Sequence, residues 1–192
     1  MEQIRLGSII KCQVSARGLI QDGRYIESDI VNAEQLHLGV DGVVGWCDGR
    51  AVLNHHHRLN PYLGTWKPKR LLSVGFTGHY AAMAERFGSA PIGCAAENMI
   101  VDCDRIVTPN EMANGLQVRS ADGSTIDLEP AAVAKPCVPF TKYLLNNQDA
   151  AAEEVAPNRA FLDEGIRGFV LGLANQSDTA VIKPGDELWL AA

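Results

Sequence analysis

The sequence predicts a mainly β protein of mixed α+β class, with a barrel-like β fold and a few short peripheral helices. Three observations support this prediction. The 192 residues, of which 46% are hydrophobic and 21% charged, are typical of one globular domain. Many short β-rich runs lie between turn signals, and the helical patterns are few and short. Such spacing favours a sandwich or a barrel over a doubly wound sheet.

The first half of the chain predicts two β regions and one helix. Residues 8–14 are expected to form a strand, and the Asp-Gly pair at 22–23 predicts a tight turn after it. The apolar residues 71–76 predict a buried strand. Thr77 is expected to cap a helix over residues 79–87, which the following glycine ends.

The next elements are a hairpin and two short helices. Residues 117–119 and 125–128 flank an Asp-Gly pair, which is a strong signal for a β-hairpin. Residues 138–147 and 159–164 predict helices. The acidic, alanine-rich residues 149–155 between them are expected to form an exposed loop.

Three β-rich runs, at 168–173, 180–182 and 187–190, end the chain. Pro184 and Gly185 stand between the last two runs. Proline fixes φ and glycine permits a positive φ, as a type II turn requires, so we expect these two strands to form a second hairpin.

Charge and composition exclude several classes of protein. The net charge of −6 argues against a general nucleic-acid binder. Residues 1–6 lack a secretory signal, and the uncharged run at 71–84 is shorter than the roughly 18 residues that span a bilayer. Five cysteines without a CxxC pair predict reduced thiols, with neither a disulfide framework nor a zinc site. We therefore expect a cytoplasmic protein without nucleic-acid or membrane partners.

Positive charge is concentrated in residues 49–84, which contain no Asp or Glu. Such a segment suits an anionic small molecule, because Arg binds phosphate or carboxylate through paired hydrogen bonds. Its charged residues are Arg50, Arg58, Lys67, Lys69 and Arg70. The adjacent His55, His56 and His57 favour a basic loop over an anion site, and no metal ligand set is predicted. His79 either faces a pocket or packs at the start of its helix.

Cys137 stands between two prolines in a second acid-free segment, residues 130–148. Lys135 and Lys142 lie close to it in sequence. Neighbouring cations or a helix start lower the pKa of a thiol from its usual value of about 8.5. Cys137 is therefore the candidate nucleophile or sulfur carrier, the alternative being a small buried apolar residue. Packing explains the other four cysteines, Cys12, Cys47, Cys94 and Cys103.

Three further polar residues allow two interpretations each. Glu97 and Asn98 precede an apolar run, where they either orient a polar ligand or close a turn. Arg167 lies near two glycines, where it either reaches an anion or covers apolar surface with its stem.

Several segments, taken in order, resemble the MOSC family, found at the carboxyl end of molybdenum-cofactor sulfurases and in small stand-alone bacterial proteins. They are residues 69–73, 96–101, 136–137 and 181–188. They correspond to an Arg before an apolar strand, a Gly-Glu-Asn before a strand, a Pro-Cys pair and a closing Gly-Asp turn. The resemblance covers residues 36–192 and is firmest over 69–142, within a single domain over 1–192. Ala96 replaces the usual glycine, and Lys135 replaces a frequent arginine.

The resemblance implies a barrel-like fold and a pocket for the molybdenum cofactor or a related anionic ligand. It also implies that Cys137 accepts sulfur as a persulfide from a separate pyridoxal-phosphate cysteine desulfurase and passes it on. The residues expected to hold the ligand or the thiolate are Arg50, Arg58, Arg70, His79, Glu97, Asn98, Lys142 and Arg167. No iron-sulfur cluster is expected, since the cysteine spacing does not suit one.

Two other functions remain open at this point. One is a cofactor-binding module without chemistry. The other is a cysteine or histidine hydrolase, in which His79 or His56 would serve as the base for Cys137.

Overall fold

The computed structural model describes residues 3–191, which form fifteen strands and three α-helices. The strands are β1 (Arg5–Ser15), β2 (Ile20–Gln21), β3 (Arg24–Tyr25), β4 (Ile30–Ala33), β5 (Gln35–Gly39), β6 (Gly42–Cys47), β7 (Arg50–Leu53), β8 (Leu72–Phe76), β9 (Met99–Asp102), β10 (Leu116–Arg119), β11 (Thr125–Leu128), β12 (Ala132–Val133), β13 (Phe169–Leu171), β14 (Ala180–Ile182) and β15 (Glu187–Leu190). The helices are α1 (Thr77–Phe87), α2 (Val138–Leu144) and α3 (Ala152–Phe161). Across these described residues, every helix is too short or too polar to cross a membrane.

The strands form two sheets and one small hairpin. The larger sheet has the order β11-β10-β15-β1-β9-β8-β13-β12, with β4 also paired to β1. The smaller sheet has the order β14-β5-β6-β7, and β2 pairs with β3. The long strand β1 contacts β15, β9 and β4, so it lies at the centre of the fold.

The two sheets share one hydrophobic core. Ile9, Val74 and Val101 of the larger sheet are fully buried in the same cluster as Leu36 and Val43 of the smaller sheet. Burial of alternate side chains on each strand therefore fixes which face of each sheet turns inward.

The mainly β class and the short peripheral helices are confirmed, but the strands of the described chain do not close into a barrel. The strand order ends at β11 on one side and at β12 on the other. A single isolated bridge, between Leu128 and Leu173, connects β11 with the segment after β13. The strands at this seam are only two to four residues long, which is too short for a continuous ladder.

The predicted strand and helix around residue 76 are confirmed as β8 and α1. After α1 the chain returns as β9, which pairs with β8 in parallel. Thr77 does not cap the helix, contrary to expectation, because it already lies in the first turn. Its Oγ1 instead accepts the amide hydrogen of Cys103 at 2.9 Å, and so ties α1 to the end of β9.

The helices cover a second hydrophobic cluster beside the larger sheet. Met83 of α1, Phe140 and Leu144 of α2, and Leu162 after α3 pack there against Tyr25 of β3. The predicted loop at residues 149–155 is therefore wrong in its second half, which belongs to α3. Burial of Val155 in this part of the fold favours the helix despite the proline that follows two residues later.

The Asp-Gly hairpin is confirmed as β10 and β11, but the second predicted hairpin is wrong. The turn itself forms: Gly185 has a φ of 97°, and the amide of Asp186 donates to the carbonyl of Lys183 at 3.1 Å. However, β14 pairs with β5 in the smaller sheet, whereas β15 pairs with β1 and β10 in the larger one. The turn thus carries the chain from one sheet to the other.

Candidate functional site

A cavity of about 650 Å³ lies where several connecting segments meet. Its walls come from the segments that follow β1 and β7 and from those at the starts of β8, β9, α2 and β13. The volume is within the range of about 300–1,000 Å³ that is typical of small-molecule sites. The fold thus brings together residues from six separate parts of the sequence.

The charged side chains that line this cavity are all basic. They are Arg17, Arg70, Lys135 and Arg167, with His55 and His56 beside them. Within the described chain, neither Asp nor Glu lines the cavity. Because the whole protein has a net charge of −6, this concentration of cations marks the cavity as a site for an anion.

Cys137 is the half-buried thiol of this cavity. It directly precedes α2, and its carbonyl accepts the amide hydrogen of Thr141 at 3.1 Å, which fixes the backbone around it. The other four cysteines are buried. Burial raises the pKa of Cys12 and of Cys94 to about 12, so these thiols stay protonated. Cys137 is therefore the thiol that a reagent can reach.

Arg167 lies between the cavity and a buried carboxylate. One guanidinium nitrogen is 3.7 Å from Oε1 of Glu97, and the guanidinium stacks over the ring of Phe140 at 4.9 Å. Burial by itself opposes the charge of Arg167, but Glu97 and Tyr25 raise its pKa, so the guanidinium remains charged. It presents a fixed positive charge in the same cavity as Cys137.

Glu97 is completely enclosed behind this arginine. Its Oε2 accepts a hydrogen bond from Tyr80 at 2.5 Å. Burial raises the pKa of Glu97, while Arg167 and the Tyr80 bond oppose that rise. A Cβ atom at either Gly75 or Gly168 would come within 2.9 Å of its Oε1, so both glycines leave room for the carboxylate. Glu97 itself does not line the cavity.

Asn98 lines the cavity and also joins three strands. Its Oδ1 accepts hydrogen bonds from the amide and the hydroxyl of Ser73, at 3.1 and 3.0 Å. Its Nδ2 donates to the carbonyl of Gln13. Ala96, two residues earlier, has a φ of 61°. This left-handed conformation explains why glycine suits the position, since it costs an alanine about 1 kcal/mol.

The four histidines of residues 49–84 do not lie together, since His57, like His79, is buried outside the cavity. His55 and His56 line the cavity. Desolvation by the cavity walls lowers the pKa of His56, and the positive charges around it lower that pKa further. His79 lies elsewhere, with its ring next to Phe76 and Phe169. The amide of Val107 donates to its Nε2 at 3.0 Å, and burial lowers the pKa of His79 to about 4. His79 is thus a packed, neutral histidine.

The structure places Arg70, Asn98, Cys137 and Arg167 in the cavity and leaves the five other predicted residues outside it. Besides His79 and Glu97, they are three basic residues whose charges lie on other surfaces. Arg50 is exposed at the start of β7, Arg58 pairs with Asp41 at 3.6 Å, and Lys142 donates to the carbonyl of Gln148.

Two cationic residues of the cavity, Lys135 and Arg17, are not among the residues that the sequence predicts to hold the ligand. Arg17 belongs to the segment after β1, more than fifty residues from Arg70, and its approach to the cavity depends on how β1 and β8 are placed in the sheet. The glycine that follows Arg17 is the one local signal, because it marks a loop.

The structure also bears on two alternatives, a hydrolase in which a histidine serves as the base for Cys137 and a metal site. Within residues 3–191, the Sγ of Cys137 makes no direct hydrogen bond to a histidine, although His56 lines the same cavity. In the same range, no cluster of three or more His, Cys, Asp or Glu side chains has a metal-binding arrangement.

Comparisons with known proteins support the fold. Neither a protein-family model nor a curated protein sequence matches the chain. The YuaD protein from Bacillus subtilis has a similar structure, with a TM-score of 0.55 and 14% identity over 98% of this chain and 95% of that protein. YiiM from Escherichia coli aligns with a TM-score of 0.52 and 14% identity over 96% of this chain and 70% of YiiM.

YiiM from Geobacillus stearothermophilus is also similar, with a TM-score of 0.50 and 14% identity over 100% of this chain and 76% of that protein. At this identity the likeness shows the fold alone. The chain thus shares its overall architecture with YuaD and YiiM.

Proposed function

We propose that the protein binds an anionic small molecule, the molybdenum cofactor or a related phosphate-bearing ligand, and that Cys137 carries sulfur to it as a persulfide. One observation carries this proposal. The accessible thiol of the protein shares a cavity with four cationic side chains and no carboxylate among the described residues. A thiolate, a persulfide and a phosphate are all anions, and such a cavity stabilises each of them.

The cavity suits a phosphate-bearing cofactor in charge, size and polarity. Arg70 and Arg17 would hold the phosphate, while Asn98 and the unpartnered, buried Nδ1 of His55 offer hydrogen bonds to polar groups. Tyr25 and Leu72 supply apolar wall for a ring. Bound there, the molybdenum cofactor would supply a metal centre able to take a sulfur ligand.

The residues of the chain perform a sulfur exchange that balances without an added oxidant. The Cys137 thiolate attacks the outer sulfur of a donor persulfide. The donor's sulfur–sulfur bond breaks, a new one forms at Cys137 Sγ, and the donor leaves as a thiolate. Arg167 stabilises the negative charge on the Cys137 side, because its guanidinium is held charged within the same cavity.

Intact-protein mass spectrometry after incubation with a cysteine desulfurase and cysteine tests the proposal. We expect the wild-type protein to gain sulfur and Cys137→Ser to gain none. Cys103→Ser is the matched control, since its buried thiol should not matter, and it should behave as wild type. No gain of sulfur, or an equal gain on wild type and Cys137→Ser, would instead favour a cofactor-binding module without chemistry.

A further inference from the structure

The basic surface extends beyond the cavity. Lys67 and Lys69 follow the cavity-lining Tyr62 in the connection between β7 and β8, and both are exposed. Together with Arg17 and Arg70 at the cavity they form what we call the basic rim. Lys67 is near enough to His56 for its charge to lower the pKa of that cavity histidine. Within residues 3–191, none of the four rim residues pairs with a carboxylate.

Apolar side chains are exposed beside the basic rim. Leu59 is 70% exposed, Tyr62 54% and Ile20 50%, and the last two line the cavity. Arg17 stacks over the ring of Tyr62 at 5.2 Å, so charge and apolar surface adjoin. A mixture of exposed aromatic, aliphatic and basic groups is typical of protein-binding surfaces.

The connection that carries these residues is held in place. The Nδ2 of Asn60, which is buried, donates to the carbonyls of Ala16, Leu53 and Asn54 at 2.9–3.1 Å. The carboxamide of Asn54 in turn accepts the amide hydrogen of Ser15. A surface that is ordered beforehand loses little conformational freedom when a partner binds.

We propose that the basic rim docks an acidic protein segment that presents a persulfide to Cys137. This inference rests on the proposed function and names the partner of that site. Lys67, Lys69 and Leu59 do not line the cavity, so the complementary surface is larger than a small ligand. Among the described residues, no salt bridge neutralises the rim, which leaves its charge for a partner.

Docking determines only the rate at which the donor sulfur arrives. The bond changes are those of the exchange above: the donor's sulfur–sulfur bond breaks, the bond to Cys137 Sγ forms, and the donor segment departs with its thiolate. Attraction between the rim and acidic side chains raises the rate of encounter, and salt weakens it.

Two synthetic peptides test the proposal. Each carries one cysteine persulfide beside a leucine; one has flanking Asp and Glu residues, and the other has Asn and Gln in their place. Sulfur gain at Cys137 is followed by intact mass, and each rate is divided by that peptide's rate of transfer to glutathione. We expect the acidic peptide to react about tenfold faster at low salt, with the preference falling at high salt.

Charge variants show whether the lysines of the basic rim cause the preference for the acidic peptide. Lys67→Glu combined with Lys69→Glu should abolish the preference for the acidic peptide. Arg159→Glu combined with Lys183→Glu changes the net charge equally at exposed sites outside the rim and should retain the preference. Equal rates for the two peptides, or an equal loss in both variants, would overturn the docking proposal.

A small uncharged thiol's persulfide separates the two proposals. If it loads Cys137 in wild type and in both charge variants, the proposed function stands whatever the peptides show. If neither it nor the peptides load Cys137, the proposed function fails. Tighter binding of a single-stranded oligonucleotide than of the acidic peptide at the rim, or rim-dependent self-association, would assign the surface to another occupant and overturn the docking proposal.

Discussion

The front wall of the cavity and the layer directly behind it both contain basic side chains, but the two differ in exposure to solvent and in pairing with a carboxylate. The front wall, formed by Arg17, Arg70 and Lys135, consists of exposed cations without a carboxylate partner in the described chain. Behind this wall, the partly buried Arg167 faces the buried Glu97, which Tyr80 also contacts. Unpaired surface charges cost the fold little and remain available to a ligand, whereas a buried charge requires a partner. Binding and stability should therefore be separable by mutation.

The largest effect should come from the buried layer. Glu97→Ala removes the buried carboxylate that pairs with the partly buried Arg167 and accepts from Tyr80, and we expect it to lower the free energy of unfolding by about 3 kcal/mol. Urea unfolding followed by circular dichroism measures this change. Glu97→Gln, which keeps the volume and an acceptor for Tyr80, should lose less, and the exposed Glu153→Ala should stay within about 0.5 kcal/mol of wild type. A loss below about 1 kcal/mol for Glu97→Ala would contradict this account.

Acid should weaken the fold through His79, which is buried outside the cavity. Because burial lowers the pKa of His79 from 6.5 to about 4, the folded state favours its neutral form. Its contribution is complete above pH 6.5 and declines as the pH falls towards 4, by a total of about 3 kcal/mol. Unfolding free energies measured from pH 7.5 to 4.5 should fall less steeply for His79→Gln than for wild type. Parallel slopes for wild type and His79→Gln would refute the assignment.

The front wall should affect affinity and not stability. Pyrophosphate serves as the probe, and Arg70→Gln should weaken its binding about tenfold, the effect of losing one hydrogen bond from a charged donor. Isothermal titration calorimetry measures the affinity, and the unfolding free energy should stay within about 0.5 kcal/mol of wild type. Arg50→Gln, at an exposed arginine outside the cavity, is the matched control and should bind as wild type does. An equal loss of affinity in both variants would place the anion elsewhere.

Local patterns were sufficient for the elements whose partners are close in sequence. The Asp-Gly pair at 122–123 predicts the hairpin of β10 and β11, since only a few residues must close the turn. The predicted strand and helix around residue 76 appear as β8 and α1 for a similar reason. The chain around Pro184 has equally good turn chemistry, yet its two strands join different sheets, because distant strands offer each of them a better buried partner.

The residues of the candidate site divide in the same way, into those that local sequence features identify and those that only the fold brings to the cavity. Cys137 and Arg70 stand out from the sequence because a thiol between prolines and an acid-free segment are local features, and both line the cavity. Similar local features predict His79 and Lys142, but the ring of His79 packs in the interior and Lys142 donates to the carbonyl of Gln148. Arg17 has little local signal and reaches the cavity through the position of β1 in the sheet.

By itself the sequence determined the residue types: a mainly β chain, an accessible-thiol candidate, and an excess of cations in one acid-free segment. Tertiary structure decided which of those cations share a cavity with Cys137 and which belong to other surfaces. It also placed Glu97 behind the cavity instead of within it. The physical reason is that turns and helix ends depend on a few neighbouring residues, whereas the cavity depends on strand pairings between segments far apart in the chain.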